Sequence, residues 1–353
     1  MTSVMNVNLS GKRIALIGGA GFIGHNLALT LNSLGADVHV FDGLQVNNLG
    51  AFSNVVNDPL KALYLHLINE RIDLMRNNNI PLHVLDARDY QTLSRSLSEL
   101  KPQVIVQLAA IAHANRANKD PFSTFDHSFR TLENALDCAR SAVEHFIYFS
   151  SSMVYGNFEG EAVTEDRHCE PMGIYGALKY GGEKLVIAYG QVFNLPYTIV
   201  RPSALYGERC VSRRVGQAFI ENALQGKPLT INGDGNDALD FTYIGDLVQG
   251  LVRCISHPAA RNQTFNMTYG SARSLNQMAE IMRGEFPGLE VKYDPRDALM
   301  PERGTLSVEK ARTLIGYEPA YPLERGFVEY VRWYKDLAKR HPAFFGKQKP
   351  AIA

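Results

Sequence analysis

The chain has four cysteines in 353 residues, and no two stand close enough to make a C-x-x-C. Cys138, Cys169, Cys210 and Cys254 are scattered, which excludes a short-spaced metal knuckle and a disulfide-framed scaffold and fits reduced thiols in the cytosol. Charge of one sign is lacking too. Thirty-six Lys and Arg balance 36 Asp and Glu, so no global field favours nucleic acid or an anionic membrane. No run approaches the roughly 20 apolar residues of a membrane helix. The start, MTSVMNVNLSGKR, has no apolar core of signal-peptide length. Internal repeats and low-complexity tracts are missing. What remains is an ordinary composition, 45% hydrophobic and 20% charged, with length for one large domain or two smaller ones. A cytoplasmic enzyme or binding protein without a metal site is expected.

Short apolar runs alternate with longer amphipathic stretches through the first 200 residues. Strands are expected at 13–18, 37–42, 81–86, 103–109, 145–151 and 197–203. They are nearly continuous in apolar residues, as parallel strands covered on both faces must be. Helical periodicity falls between them, at 89–100, 122–142 and 175–193. The alternation predicts an α/β fold, a Rossmann-like doubly wound parallel sheet. One connection is too long for that plan. Nearly forty residues separate Asp42 from Pro81, and KALYLHLINERIDLM within them reads as an extra helix or a lid-like insertion at about 43–80. Past residue 204 the segments become short and mixed, rich in Gly, Pro and Arg (GERCVSRR, NGDGND, DPRDALMPER). A smaller α/β substrate domain is expected over 204–345, covering the strand ends of a first domain at 8–203 and partly interleaved with it.

The first strand runs into GGAGFIG, residues 18–24, and then into a helix-like stretch. Gly18 and Gly21 let the backbone turn tightly and approach a pyrophosphate, and Gly24 lets helix and strand pack closely. The helix N-terminus then offers unpaired N–H groups to the phosphates, and Phe22 and Ile23 of the GGAGFIG segment are further candidates to bind the cofactor. Asp42 ends the next strand, 18 residues past Gly24. Its carboxylate suits ribose hydroxyls and repels a 2′-phosphate. No Arg follows it directly, so NAD is expected rather than NADP.

Residues 175–184, YGALKYGGEK, hold two Tyr-x-x-x-Lys pairs, Tyr175 with Lys179 and Tyr180 with Lys184. Four residues apart on a helix share a face, and an ammonium beside a phenol favours the phenolate. Spacing alone leaves both pairs open, and such pairs are commonly solvated helix faces. Upstream, FSSSMVYG places serines at the carboxyl end of a central strand, where such sheets open their ligand crevice.

The segments GGAGFIG, VFD, LDARD, VQLAA, SSSMVYG, YGALK, RPSALYG and DFTYIGDL, in this order, resemble the extended short-chain dehydrogenases/reductases. The likeness is to their nucleotide-sugar epimerase/dehydratase group, of the UDP-glucose 4-epimerase type. ARTLIGYEPAYPLERG resembles the usual ending of that family. The resemblance selects Ser151, Tyr175 and Lys179 as the catalytic set and implies that Tyr175 and Lys179 also touch the cofactor. Tyr180 lies about 140° further round the helix at 3.6 residues per turn, so it cannot share the crevice with Tyr175. By the same resemblance Asp86 and Ala87 flank the adenine, and Leu108, Ala109 and Ala110 lie over the ribose and diphosphate.

The chemistry implied is transient oxidation of a sugar alcohol by NAD, with Tyr175 taking the alcohol proton, Ser151 holding its oxygen and Lys179 sustaining the phenolate. Dehydratases and decarboxylases of the group usually carry an acid just after the Ser or Thr; here Ser152 and Met153 follow. A 4-epimerase of a nucleotide-diphosphate sugar is therefore expected. Its alternatives are an NAD-linked oxidoreductase, a decarboxylase or dehydratase, and a non-catalytic NAD-binding protein. The diphosphate-binding half departs from the family pattern at Ala204, Leu239 and His127. Arg209, Arg213, Arg214 and Arg296 can compensate, since Arg grips phosphate bidentately, and Ser152 and His113 are further candidate substrate contacts. The resemblance also implies a homodimer built on the helices at 122–142 and 175–193.

Overall fold

In a computed structural model the described residues are 7–53, 58–112, 114–158, 160, 162–296 and 300–346. The six anticipated strands form β1 (Arg13–Ile17), β2 (Asp37–Asp42), β3 (Leu82–Val84), β4 (Val104–Gln107), β5 (His145–Phe149) and β6 (Tyr197–Arg201). All pair in parallel, and a seventh strand, Gln263–Asn266, adds beyond β6. The order across the sheet is Gln263–Asn266, β6, β5, β4, β1, β2, β3. The strand order therefore reverses between β1 and β4, the place where such sheets open a crevice at their carboxyl ends. Ile14, Leu16, Val104, Val106, Ile147 and Val200 are fully buried, which explains why these runs carry almost no polar residues. The edge strand β3 is the shortest, and its Val84 is 65% exposed.

Helix α1 (Phe22–Ser33) follows the glycine turn. The 175–193 stretch forms one helix, Gly173–Phe193. The 122–142 stretch does not. A π-turn at Asp126–Arg130 separates Pro121–Phe125 from Thr131–Ala139. There the Thr131 hydroxyl donates to His127 O at 2.9 Å and also lies 3.3 Å from Gln107 Nε2, while Ser128 Oγ accepts the Ile111 amide at 3.1 Å. The extra residue in the turn aims these side chains at the end of β4.

The insertion is a helix, Pro59–Asn77, capped by Asp58 through the amides of Leu60 and Lys61. It is not a lid. Leu63, Leu67 and Ile68 are fully buried among Phe219, Phe327 and Tyr330 of the C-terminal half. Tyr64 donates to Glu221 at 2.7 Å, and Arg71 Nε donates to Arg209 O at 2.9 Å. The apolar side chains that gave the stretch its helical pattern are core residues of a second hydrophobic cluster.

That cluster also gathers the helices Val215–Leu224, Leu275–Glu285 and Leu323–Arg340. Beside them Leu229–Asn232 pairs in parallel with Val291–Asp294. Between these segments the chain returns to the first lobe. Leu247 and Leu251, Phe265 and Met267, and Ala311 and Ile315 all belong to the cluster that backs β1 and β4.

Candidate active site

Two adjoining cavities open along the carboxyl ends of the strands. The first, about 170 Å³, is lined by Gly18, Gly21, Phe22, Ile23, Gly24, Asp42, Asp86, Ala87, Leu108, Ala109 and Ala110. Every cofactor residue expected from the glycine turn, β2 and the strand ends is thus in one wall. The second, about 360 Å³, is lined by Ser151, Ser152, Tyr175, Lys179, Arg214 and Arg296, among others. Ile23, Leu108, Ala110 and Arg214 belong to both, so the two are continuous.

The first cavity follows from close backbone approach. Gly18 has φ +79°, and a Cβ there would lie 2.5 Å from the Ala109 nitrogen. A Cβ on Gly24 would lie 2.5 Å from Gly19 Cα, so α1 can begin against the turn only as glycine. Gly21 caps α1 without a side chain, which leaves the first-turn amides facing the cavity. Asp42 accepts the Ala20 and Leu44 amides at 3.0 and 2.8 Å, one on each carboxylate oxygen, and its edge remains on the cavity. Burial pushes its pKa up, and those two amides oppose the shift. Asp86 is paired with Arg88 at 2.6 Å, which holds its carboxyl down to about 2. This lining of amides, small residues and the Asp42 carboxylate fits a dinucleotide: room for a pyrophosphate at α1 and an acceptor for ribose hydroxyls. His127, from the π-turn, lines this cavity and not the second.

In the second cavity the Gly173–Phe193 helix packs tightly against the turn after β5. A Cβ on Gly176 would meet Met153 O at 2.8 Å, so the helix can approach the turn only with glycine there, and Tyr175 and Ser151 line the same cavity. Lys179 is buried, and its Nζ donates to Phe149 O at 2.6 Å. Burial lowers its pKa to about 8, and the nearby Glu183 carboxylate opposes the shift. Glu183 in turn accepts from Ser150 Oγ and from Arg201, whose nitrogens lie 2.6 and 2.9 Å away. Arg201 also reaches Tyr155 Oη at 2.8 Å, and that hydroxyl donates to Asn266 Oδ1 at 2.7 Å. The carboxyl end of β5 is thereby tied to the seventh strand. Tyr180 turns away from both cavities and packs on Val154 and Tyr155, with Lys184 Nζ 4.8 Å from its ring centre.

The arginines divide. Arg214 lines both cavities and donates to Ala112 O at 3.0 Å, and Arg296 lines the second, 3.0 Å from Asp237. Arg209 and Arg213 line neither. Arg209 pairs with Glu70 at 3.0 Å and Arg213 with Glu221 at 3.3 Å, so carboxylates of the insertion helix and of the Val215–Leu224 helix draw them away. His113 lies outside the described residues. Ala204 and Leu239 face the second cavity, with Ala204 at φ +39°, a conformation that suits Asn better than Ala.

Two lining arginines escape the sequence reading. Arg71 comes from the insertion helix, is fully buried and lines the cofactor cavity. A charged residue at a core position of an amphipathic helix, four after Leu67 and four before Met75, is the signal that marks it. Arg303 lines the second cavity, and no spacing in the sequence points to it.

A profile of the NAD dependent epimerase/dehydratase family matches residues 14–268. A putative UDP-glucose 4-epimerase of Methanocaldococcus jannaschii is 28% identical over 332 residues, covering 92% of this chain and 98% of its own. UDP-glucuronate 4-epimerase 1 of Arabidopsis thaliana is 28% identical over 356 residues, covering 94% of this chain and 79% of its own. The UDP-glucuronic acid 4-epimerase of Bacillus cereus, crystallised with UDP-glucuronic acid and NAD, superposes with a TM-score of 0.81 at 27% identity, covering 92% of this chain and 99% of its own. A glycine turn at the switch point, a terminal Asp on β2 and a match over most of the sheet agree: the chain belongs to the NAD-dependent epimerase/dehydratase family, and NAD is its cofactor.

Proposed function

We propose that the protein is a nucleotide-sugar 4-epimerase, with Tyr175, Lys179 and Ser151 as its catalytic residues. The observation that carries this reading is the company those three keep. They line the second cavity, which adjoins the first, and the single acidic side chain among its described lining, Asp237, is held by Arg296. Dehydration and decarboxylation need further proton transfers at the sugar, and among the described residues no carboxylate lines the cavity beside Ser151 to perform them. Epimerisation needs only one proton site and a sugar ring free to turn.

Bound NAD would supply the hydride acceptor and donor that oxidation and re-reduction at the sugar's C4 require. The protein's part is the proton. Tyr175 takes it from the C4 hydroxyl as the alcohol is oxidised and gives it back once the ring has turned. Ser151 holds that oxygen, and its Oγ is itself fixed by the Met153 amide at 3.2 Å. The Lys179 ammonium, four residues along the same helix, favours the phenolate. Gly18, Gly21, Phe22, Ile23, Gly24, Asp42, Asp86, Ala87 and Leu108–Ala110 hold the cofactor, while Ser152, Arg214 and Arg296 face the sugar nucleotide. A homodimer in the cytoplasm completes the proposal.

The test is conversion of UDP-hexoses and UDP-uronates to their C4 epimers, followed by NMR, with Tyr175→Phe beside the wild type. Loss of one general acid–base group should cut kcat by roughly 100- to 10,000-fold while bound NAD is retained. A Tyr175→Phe enzyme that turns over normally would remove Tyr175 from the mechanism.

A further inference from the structure

Three arginines of the described residues line the second cavity, and they are not alike. Arg214 donates to a backbone carbonyl at 3.0 Å, and Arg296 is ion-paired with Asp237 at 3.0 Å. Arg303 is ion-paired with no carboxylate of the described residues. Its one hydrogen bond among the described residues is a long contact of 3.4 Å to Ser152 Oγ. A guanidinium carries five N–H donors in a planar fork, and an enclosed one without an anion is costly. Burial and the neighbouring Arg214 lower its pKa to about 10, so it stays charged at neutral pH and gains from any anion beside it. Among the described residues no carboxylate bonds it: Asp237, whose charge it also feels, is held by Arg296, which leaves the substrate to supply the partner.

A sugar nucleotide has two places for an anion, the diphosphate on C1 and a carboxylate at C6. Position decides between them. Arg303 meets Ser152, the residue after Ser151, and Tyr175 is among the groups whose charge it feels. It therefore stands at the end of the cavity where the C4 hydroxyl must lie. C6 hangs from C5, next to C4, whereas the diphosphate leaves from C1 across the ring. We propose that Arg303, with Ser152, is the receptor for a carboxylate at C6, and that the sugar is a uronate. This deepens the epimerase reading and rests on it for the placement of C4. The choice is not made by likeness, since the glucose and glucuronate epimerases compared above are equally identical to this chain.

The experiment titrates the NAD-loaded enzyme with UDP-glucuronate and with UDP-glucose by calorimetry and measures kcat/KM for both. Wild type, Arg303→Gln and Arg303→Lys are compared. Wild type should prefer the uronate. Arg303→Gln should reduce the uronate-to-hexose preference by about 10- to 100-fold in Kd and in kcat/KM, the range of a hydrogen bond to a charged group. Arg303→Lys keeps the charge without the fork and should recover part of the preference. Equal losses for both sugars would make Arg303 a diphosphate contact and overturn the proposal. So would a wild type that does not prefer the uronate in binding, whatever its turnover. If neither sugar is epimerised but the binding preference still falls in Arg303→Gln, the epimerase reading fails and the carboxylate receptor stands.

Discussion

Lys179 has two conflicting tasks: to sit in a dry wall and to carry a charge. Burial disfavours the ammonium and lowers its pKa to about 8, while Glu183 beneath it works in the other direction. The sign for activity follows. On the proposed mechanism the lysine, charged below about pH 8, supports Tyr175 as the base; above it the proton leaves and that support is lost. Epimerisation should fall on an alkaline limb near pH 8. Glu183→Gln removes the charge that raises the Lys179 pKa, so its limb should move to lower pH. A pH–rate profile in which Glu183→Gln leaves the limb in place, or raises it, would disconnect the two groups. At this scale legibility was uneven for a physical reason. Tyr175 and Tyr180 could be separated because helix geometry is local and the sequence states it. Arg303 could not be found, because its one hydrogen-bond partner among the described residues, Ser152, lies 151 residues away and only the closure of the second lobe brings them together.

The elements show the same division between local and distant causes. Strands β1, β2, β4, β5 and β6 begin within a residue of where their apolar runs begin, because a parallel strand buried on both faces has nothing else to be. The π-turn at Asp126–Arg130 was not legible, since the groups that Thr131 and Ser128 meet belong to β4 and the loop after it. The strand Gln263–Asn266 was missed because QTFN is short and mostly polar; it is a strand by virtue of β6 beside it. The insertion helix was legible as a helix but not in its role. Apolar periodicity shows which face is buried, not what buries it. The fully buried Leu67 on that face packs in the second cluster, so Leu67→Ala should cost about 2–5 kcal/mol. Equilibrium denaturation checks this, and a cost below about 1 kcal/mol would return the helix to the status of an appended flap.

At the scale of the whole molecule, one long helix has more apolar surface than a monomer uses. On Gly173–Phe193 the residues Ile174, Leu178, Gly181, Leu185, Ala188 and Val192 follow one another at alternating steps of four and three. That is the spacing of a helix seam, not of a solvated face. The first and last of them are 37% and 68% exposed. Pro121–Phe125 packs alongside this helix, with Phe122 85% exposed, and Phe129 of the π-turn closes on Gly181. Two such helices from each of two copies would bury this surface around a twofold axis, one patch serving both partners. We therefore expect a homodimer in solution. Ile174→Asp and Val192→Asp lie outside both cavities and at exposed positions, so each should leave the fold intact and shift sedimentation from dimer to monomer. A wild type that sediments as a monomer at micromolar concentration, or variants that remain dimeric, would show that the seam does not join two copies.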